Sequence, residues 1–310
     1  MDKRDLITNL LSNLNIRLMG KEETNTLAAA CLLAGGHLLL EDVPGVGKTT
    51  LGKTMADSIS ASFGRIQFTP DTLPSDVTGM SIYDMKNAEF VHRDGVIMNQ
   101  IVLGDEINRT SPKTQAALLE AMAEGHVTVD GEMFDLPKPF MVIATQNPVE
   151  FLGTYPLPEA QLDRFMIRLS IGYPDKNNEL ELMRAFISGS KDEAIEAVCQ
   201  AEDILDLQNE VAKVKLSDGM LEYIENIVAL TRKESRFRLG VSPRGMLHLV
   251  RLSQSYAYIE GRDYVIPDDV KKVADCCLAH RLHLTSEAQM KGENVSTILT
   301  AIVLSVKVPT

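Results

Sequence analysis

A glycine-rich stretch between two apolar runs of different character constrains this chain more than any other feature of its sequence. The run before it, HLLLE, has the continuous apolar character of a strand buried on both faces, and the run after it, TTLGKTMADSIS, has helical periodicity. Gly45 and Gly47 allow backbone amides to turn towards phosphate oxygens at the N-terminus of that helix. The pattern predicts a phosphate-binding loop, which comprises Asp42, Val43, Pro44, Gly45, Val46, Gly47, Lys48, Thr49 and Thr50.

Three positions of this loop bear on its chemistry. Lys48 can reach the β- and γ-phosphates of a nucleoside triphosphate, and the Thr49 hydroxyl can bind Mg²⁺. Asp42 stands where the strict GxxxxGK(S/T) pattern has glycine, so the match is incomplete. Because the strand before the loop and the helix after it are those that the motif requires, a chance glycine-rich turn is the weaker interpretation.

Adjacent carboxylates end a second apolar run, QIVLGDE. Ligands of open α/β sheets collect at the carboxyl ends of the strands, which places Asp105 and Glu106 beside the loop. We expect Asp105 to serve the Mg²⁺ ion, through water, and Glu106 to take a proton from the attacking water. An Asp-Glu pair is in most proteins a helix N-cap, but its position one strand after the loop favours the catalytic interpretation.

Three further polar residues have an open role on pattern alone. Asn147 ends the apolar run FMVIATQNP, where its amide can orient water or contact a γ-phosphate, or can serve a turn before proline. Arg164 in QLDRF and Arg244 in VSPRG have the spacing of ordinary surface or helix-end cations. Spacing alone does not select these two arginines.

The alternation of apolar and amphipathic runs predicts an α/β fold, with a parallel sheet flanked by helices. Two β-hairpins interrupt it, one over residues 80–98 and one over 126–136 with Asp130-Gly131 at its turn. After Tyr173 the strand signals end and helical periodicity takes over. We therefore predict a core domain over residues 1–173 and an all-helical domain over residues 174–310.

Charge and apolar patterning exclude several classes of partner. With 31 basic and 43 acidic residues the net charge is -12, so the average surface repels phosphate backbones, and we expect no nucleic-acid partner. The most apolar stretch, 27–40, is broken by glycines and shorter than the roughly 20 residues of a bilayer span, so we expect no membrane insertion. Four scattered cysteines and a start that does not resemble a signal peptide favour a cytoplasmic location.

Two minor features of the second half receive structural interpretations. His280 and His283 are three residues apart on a helical pattern, yet acidic partners with metal-ligand spacing are not evident, so we expect structural roles. The basic segment 232–238 is interpreted as a solvated face, and its role stays open.

Long motifs extend over nearly the whole chain. They are DVPGVGKTT, QFTPDTLPSDVTG, VLGDEINRTSPKTQAALLEAMAEGHVTVDGE, VIATQNPVEFLGTYPLPEAQLDRF, VSPRG and GRDYVIPDDV. Together they resemble the motifs of the MoxR family of AAA+ ATPases, whose own EDVPGVGKT has an aspartate at the position of Asp42.

The resemblance implies an AAA+ core with a P-loop, followed by a helical lid, and ATP with Mg²⁺ as the nucleotide and metal. It makes Asn147 the sensor 1 residue, Arg164 the finger that reaches a neighbouring subunit's γ-phosphate, and Arg244 the sensor 2 arginine. A guanidinium supplied from outside neutralises charge that develops during phosphoryl transfer. Hydrolysis would then require a homo-oligomeric ring, typically a hexamer in this family.

The resemblance also implies a function, the chaperone-like remodelling or maturation of partner proteins. Clients in similar systems are often proteins with a von Willebrand factor A domain. Two alternatives stay open: a nucleotide-gated binding scaffold with little turnover, and a chelatase-type motor subunit that inserts metal into a tetrapyrrole.

Overall fold

A computed structural model describes residues 3–148, 153–188 and 195–309 of the chain. Its strands are, in chain order, β1 (Leu38–Glu41), β2 (Phe63–Gln67), β3 (Gly79–Asp84), β4 (Glu89–Asp94), β5 (Ile101–Asp105), β6 (His126–Val129), β7 (Glu132–Asp135), β8 (Met141–Gln146), β9 (Ile167–Leu169), β10 (Phe237–Leu239) and β11 (His283–Leu284). Residues 149–152, which belong to the motif that follows Asn147, lie outside the described residues.

The central sheet is parallel and has the strand order β2-β5-β8-β1-β9. Every residue of β5 is buried, as are the first five residues of β8, which is what a continuous apolar run predicts for a strand covered on both faces. In the parallel register Gln67 lies beside Asp105, and Gly104 lies beside Ala144. The carboxyl ends of β5, β8 and β1 are therefore neighbours at one edge of the sheet.

Helices make up most of the remaining chain. They are α1 (Lys3–Arg17), α2 (Glu22–Leu33), α3 (Lys48–Ser58), α4 (Pro74–Thr78), α5 (Pro112–Glu124), α6 (Glu159–Leu162), α7 (Lys176–Ser188), α8 (Ala201–Val211), α9 (Asp218–Lys233), α10 (Pro243–Ile259), α11 (Pro267–Leu278), α12 (Ser286–Met290) and α13 (Val295–Ser305). Across the described ranges, none of these helices has both the length and the apolarity that crossing a bilayer requires.

An antiparallel hairpin occurs at each of the two predicted positions. Strands β3 and β4 pair over their full length, and β6 and β7 pair around Asp130 and Gly131. Both turn residues have positive φ, 51° and 86°, as the mirror-image turns of two-residue hairpins require. The rings of His92 on β4 and Phe134 on β7 stack with their centroids 4.0 Å apart.

The chain forms two compact units. The first comprises Met1–Ala29, Leu39–Leu157 and Leu169–Leu205, and the second comprises Ala30–Leu38, Pro158–Arg168 and Asp206–Thr310. The division into functional domains at residue 173 stays a prediction.

The second unit is mainly helical, but its described residues after 205 also contain short strands, which the all-helical expectation did not include. Strands β10 and β11 form a two-stranded antiparallel ribbon, in which Phe237 lies opposite Leu284. Strands of two or three residues are too short to produce a recognisable alternation in the sequence, so helical periodicity on either side hides them.

Candidate active site

The glycine-rich loop has the backbone conformation that its sequence predicts. Helix α3 begins at Lys48, and the residue that precedes it, Gly47, has φ 102°. Gly45 has φ 86°, and a Cβ built on it would meet no atom within 4 Å, so its open side can accept a ligand. Both φ values lie in the left-handed region, which residues other than glycine rarely adopt. The backbone amides of the loop therefore lie at the N-terminus of a helix, where phosphate binds favourably.

Lys48 is buried at this helix start. Its side-chain ammonium donates a hydrogen bond to the main-chain carbonyl of Asp42 at 2.7 Å. Burial lowers the pKa of Lys48, and the negative charges of Asp105, Asp42 and Glu106 oppose that shift. The ammonium is therefore close to the acidic residues at the carboxyl ends of β1 and β5.

Asp105 is held by partners on two neighbouring strands. Its Oδ2 accepts hydrogen bonds from Arg65 on β2, at 2.7 Å from Nη2 and 3.2 Å from Nε. Its Oδ1 accepts a hydrogen bond from the Thr145 hydroxyl on β8 at 2.9 Å. Both carboxylate oxygens are consequently fixed in direction.

Glu106 has a strained backbone and a restrained side chain. Its φ of 56° and ψ of 52° place it in the left-handed region, a conformation with a free-energy cost of about 1–3 kcal/mol that often marks functional sites. Its backbone N–H donates to the Thr145 hydroxyl at 2.9 Å. Its Oε2 accepts from Gln67 Nε2 at 2.8 Å and from Arg109 Nη1 at 3.0 Å. Both the backbone and the side-chain carboxylate of Glu106 are therefore held in place by hydrogen bonds at the end of β5.

Asn147 directly follows β8 and is only 6% exposed. Because β8 lies between β5 and β1 in the sheet, this amide shares the edge that carries Asp105, Glu106 and the loop. The structure therefore brings together the predicted loop, both predicted acids and the predicted amide. Their roles in catalysis stay predictions.

A cavity of about 1250 Å³ opens beside the loop. Five predicted residues line it, namely Gly45, Val46, Gly47, Thr49 and Thr50. Val43 and Pro44 lie between β1 and this lining part of the loop. Apolar and aromatic side chains add a second kind of surface, from Ile16, Leu18, Ile171, Tyr173, Pro174 and Leu182. A polar mouth joined to an apolar wall suits a ligand with a charged end and a planar apolar end.

The side chain of Asp42 has a role that the sequence did not reveal. Its carboxylate accepts hydrogen bonds from the backbone N–H groups of Ile171 and Gly172 and, at 3.0 Å, from the Ser170 hydroxyl. This buried carboxylate ties the loop to the segment that follows β9. The prediction that Asp42 contacts the nucleotide stays a prediction.

The donors available for a metal fit Mg²⁺. Thr49 and Asp105 offer a hydroxyl and a carboxylate, the hard oxygen ligands that Mg²⁺ prefers. In the described part of the chain, three or more His, Cys, Asp or Glu side chains do not come together in a metal-binding group. Mg²⁺ is usually bound through one or two protein oxygens together with water and substrate phosphates.

Arg164 and Arg244 belong to the second compact unit, not to the unit that contains the loop. Arg164 is half-buried and follows α6. Arg244 lies in the first turn of α10, with Nη1 3.8 Å from Asp163 Oδ2. Their assignment as finger and sensor stays a prediction from the resemblance.

Sequence reasoning missed the residues that hold the two acids, Arg65, Gln67, Arg109 and Thr145. Arg65 and Gln67 are two positions apart on β2 and therefore share a face of the sheet, which is the one signal that could have found them. Thr145 lies within an apolar run, where a single threonine is easily taken for core filling.

Comparisons with known proteins extend over both units. The family model described as "ATPase family associated with various cellular activities (AAA)" matches residues 37–167. A second model, described as "AAA lid domain", matches residues 229–302. A crystal structure of an ATPase candidate from Cytophaga hutchinsonii superposes with a TM-score of 0.93 at 37% sequence identity, covering 99% of this chain and 96% of that one.

Similar proteins align with nearly the whole chain. "Uncharacterized protein YeaC" of Bacillus subtilis is 52% identical over 99% of this chain and 96% of its own length. "Chaperone MoxR1" of Mycobacterium tuberculosis is 38% identical over 94% of this chain and 79% of its own length. "Protein MoxR" of Paracoccus denitrificans is 30% identical over 96% of this chain and 94% of its own length. The chain therefore belongs to the MoxR family of AAA+ ATPases.

Proposed function

We propose that this MoxR-type, chaperone-like AAA+ protein hydrolyses ATP in an Mg²⁺-dependent reaction and does so as a homo-oligomeric ring. The observation that carries the proposal is the meeting of Lys48, Asp105 and Glu106 at the sheet edge, beside a cavity lined by the glycine-rich loop. Family membership supports nucleotide binding, and the arrangement of these side chains supports phosphoryl transfer to water.

Each residue of this edge has a task that its position supports. The loop amides and Lys48 hold the phosphates, and Glu106 accepts the proton of the attacking water. Gln67 and Arg109 orient the Glu106 carboxylate, and Thr145 fixes the backbone at its N–H. Mg²⁺, held by Thr49 and Asp105, would neutralise charge on the phosphate oxygens.

The ring completes the site. In our proposal Arg164 of one protomer reaches the γ-phosphate bound by its neighbour, and an arginine supplied in this way raises turnover by roughly 10³–10⁵-fold. Asn147 orients the attacking water, and Arg244 senses the phosphate from the lid. We propose six protomers per ring, with residues 1–173 as the nucleotide-binding core and residues 174–310 as the lid.

The hydrolysis cycle would drive the remodelling or maturation of client proteins. A relative named "Chaperone MoxR1" supports this class of function, and we propose proteins with a von Willebrand factor A domain as clients. A cytoplasmic location of ring and client is part of the same proposal.

ATP turnover of matched variants tests the chemistry. Glu106→Gln is expected to lower turnover by the roughly 10²–10⁴-fold that a positioned general base contributes. Glu120→Gln, which neutralises an exposed carboxylate on α5, is the control and should match the parent. Equal turnover of Glu106→Gln and the parent contradicts the general-base assignment. Binding of ATP to Lys48→Ala as tight as to the parent contradicts the phosphate site.

Assembly and client are tested separately. Specific activity should rise with protein concentration in the parent and stay low at every concentration in Arg164→Ala. A parent that binds ATP but does not turn it over at any concentration is instead a nucleotide-gated scaffold. Glu106→Gln should retain ATP and co-purify with a client that the parent releases.

A further inference from the structure

The short segment that carries Arg164 is held from both sides by one buried guanidinium. Arg281 follows α11, and its side chain is only 2% exposed. Its Nε donates to Asp163 Oδ1 at 2.9 Å, and its Nη2 donates to the carbonyl oxygen of Phe165 at 2.5 Å. Its Nη1 donates to the carbonyl oxygen of Met166 at 3.2 Å. The acceptors thus lie immediately before and immediately after Arg164 in the chain.

The same guanidinium is anchored to the helices of the second unit. Its Nη2 donates to His248 Nδ1 on α10 at 2.7 Å, and its Nη1 donates to the carbonyl oxygen of Cys277 on α11. Burial, reinforced by the charges of Arg281 and Arg244, lowers the pKa of His248 to about 3, so this imidazole is neutral and can accept. A Cβ on Gly245 would lie 2.6 Å from Arg281 Cδ, so the absence of a side chain there makes room for the arginine.

Asp163 connects this cluster to the start of α10. Its carboxylate accepts the Ser242 hydroxyl at 2.8 and 2.9 Å, and Ser242 in turn caps α10. Arg244, in the first turn of that helix, lies 3.8 Å away. The residue directly before Arg164 therefore has three lid partners, Ser242, Arg244 and Arg281.

Simple stabilisation does not require a cation here. Replacing a buried ion pair by apolar side chains of similar volume is often neutral or stabilising, so a buried arginine is weak support for a purely structural role. What an arginine adds is geometry, because its donors project from one rigid plane in fixed directions. With acceptors on both sides of Arg164, that plane fixes the direction of the segment relative to α10 and α11.

We propose that Arg281 is a positioning residue for Arg164. It holds residues 163–166, the finger segment, in the direction in which Arg164 reaches the neighbouring protomer. The inference rests on the proposed function, in which Arg164 acts across the subunit interface. It makes the finger a rigid extension of the lid helices, so that lid and finger act as one body within the second unit.

A mixing experiment separates positioning from folding. Arg281→Lys keeps a cation but loses the planar donors, and we expect turnover to fall at least tenfold with the KM for ATP changed less than twofold. Adding excess Glu106→Gln protomers, which do not hydrolyse but carry an intact finger, should then raise the turnover per Arg281→Lys protomer at least threefold. Because a bound neighbour can also stabilise a poorly folded protomer, circular dichroism and the melting temperature of Arg281→Lys alone must first show that it is folded. The rise in turnover then comes from the finger that the neighbour supplies.

Arg262→Lys is the matched control. Arg262 is another lid arginine bound to one carboxylate, with its Nη1 2.7 Å from Asp269 Oδ2, and its hydrogen bonds go to Asp269 and to the carbonyl of Tyr264. Its replacement should leave turnover within twofold of the parent.

Several outcomes overturn the inference. Parent-like turnover of Arg281→Lys does so, and so does a loss of turnover in folded Arg281→Lys that Glu106→Gln protomers do not relieve. If Arg281→Lys does not fold, Arg281→Met, which removes the cation and keeps much of the volume, decides by the same two criteria. The benchmark is Arg164→Ala: if Glu106→Gln protomers do not restore its turnover, or if the parent has none, the proposed function fails rather than the role of Arg281.

Discussion

Replacing Thr145 by valine removes one hydroxyl that serves both acids of the candidate site. This hydroxyl donates to Asp105 Oδ1 and accepts from the backbone N–H of Glu106, each at 2.9 Å, and the residue is fully buried. Valine keeps the branched shape but supplies neither a donor nor an acceptor. The substitution therefore tests whether this one atom holds the strained residue in place.

The expected loss of stability follows from the two hydrogen bonds. A bond to a charged group contributes about 1.5–3 kcal/mol, and an N–H left without a partner costs about 1–3 kcal/mol, partly offset by the added methyl group. We expect the free energy of unfolding to fall by about 2–4 kcal/mol. With an unfolding entropy of about 2.1 cal/mol/K per residue over 310 residues, the melting temperature should fall by about 3–6 °C.

Thr145→Ser is the matched control, because it keeps the hydroxyl and loses only a buried methyl, at about 0.5–1.5 kcal/mol. Thermal melts monitored by circular dichroism give the first comparison, and ATP turnover gives the second. Valine should lower turnover well below that of the serine variant, since Glu106 loses its backbone anchor. Equal melting temperatures and equal turnover of the two variants refute the reasoning.

Three further substitutions have defined outcomes. Arg65→Gln should lower severalfold the Mg²⁺ concentration that gives half-maximal ATP turnover, because Arg65 competes with the metal for the Asp105 carboxylate. The melting temperature should barely change, since the side chain of this arginine is 49% exposed. An unchanged Mg²⁺ requirement contradicts the competition. The pKa of His248 is lowered to about 3 in the folded protein. Between about pH 6.5 and pH 3 the imidazole therefore binds a proton only in the unfolded chain, so the free energy of unfolding falls as the pH falls. In His248→Asn, denaturation followed over this range should show a shallower decline, by up to about 1.4 kcal/mol per pH unit, and an unchanged slope counts against the assignment. Gly104→Ala places a Cβ 2.9 Å from Phe68 Cε2, so urea denaturation should report a loss of about 1–3 kcal/mol, whereas a gain would show that the ring moves freely.

The parts of the site that the sequence predicts are those in which neighbours in the chain are neighbours in space. The loop, its lysine and the start of α3 form one continuous stretch, so glycine spacing and helical periodicity suffice to place them. The acids Asp105 and Glu106 were predicted for a related reason, since any polar pair that ends a buried parallel strand reaches the ligand edge.

The restraining residues required strand order, which the sequence does not contain. Arg65 is 40 residues before Asp105 in the chain and becomes its partner only because β2 lies beside β5. Arg281 is 118 residues from Asp163 and becomes visible only when the segment 158–168 folds with the lid helices. Isolated arginines have no periodicity, so their partners emerge from tertiary structure alone.

The basic segment 232–238 lies at the surface, in agreement with the solvated face expected for it. Arg232, Lys233 and Arg238 are exposed, and the side chain of Arg236 is 39% exposed. Two of these side chains also make contacts within the second unit, where Arg236 Nε donates to Glu234 at 2.9 Å and Arg232 Nε donates to the Val241 carbonyl at 2.9 Å. The sequence pattern predicts the exposure of the segment but not these partners.

Asp42 joins the glycine-rich loop to a stretch of chain that is distant in sequence. Its carbonyl oxygen accepts a hydrogen bond from the Lys48 ammonium, and its carboxylate accepts hydrogen bonds from Ser170, Ile171 and Gly172, which lie 128 to 130 residues further along the chain. The placement of the lysine and that of the chain after β9 therefore depend on the same residue.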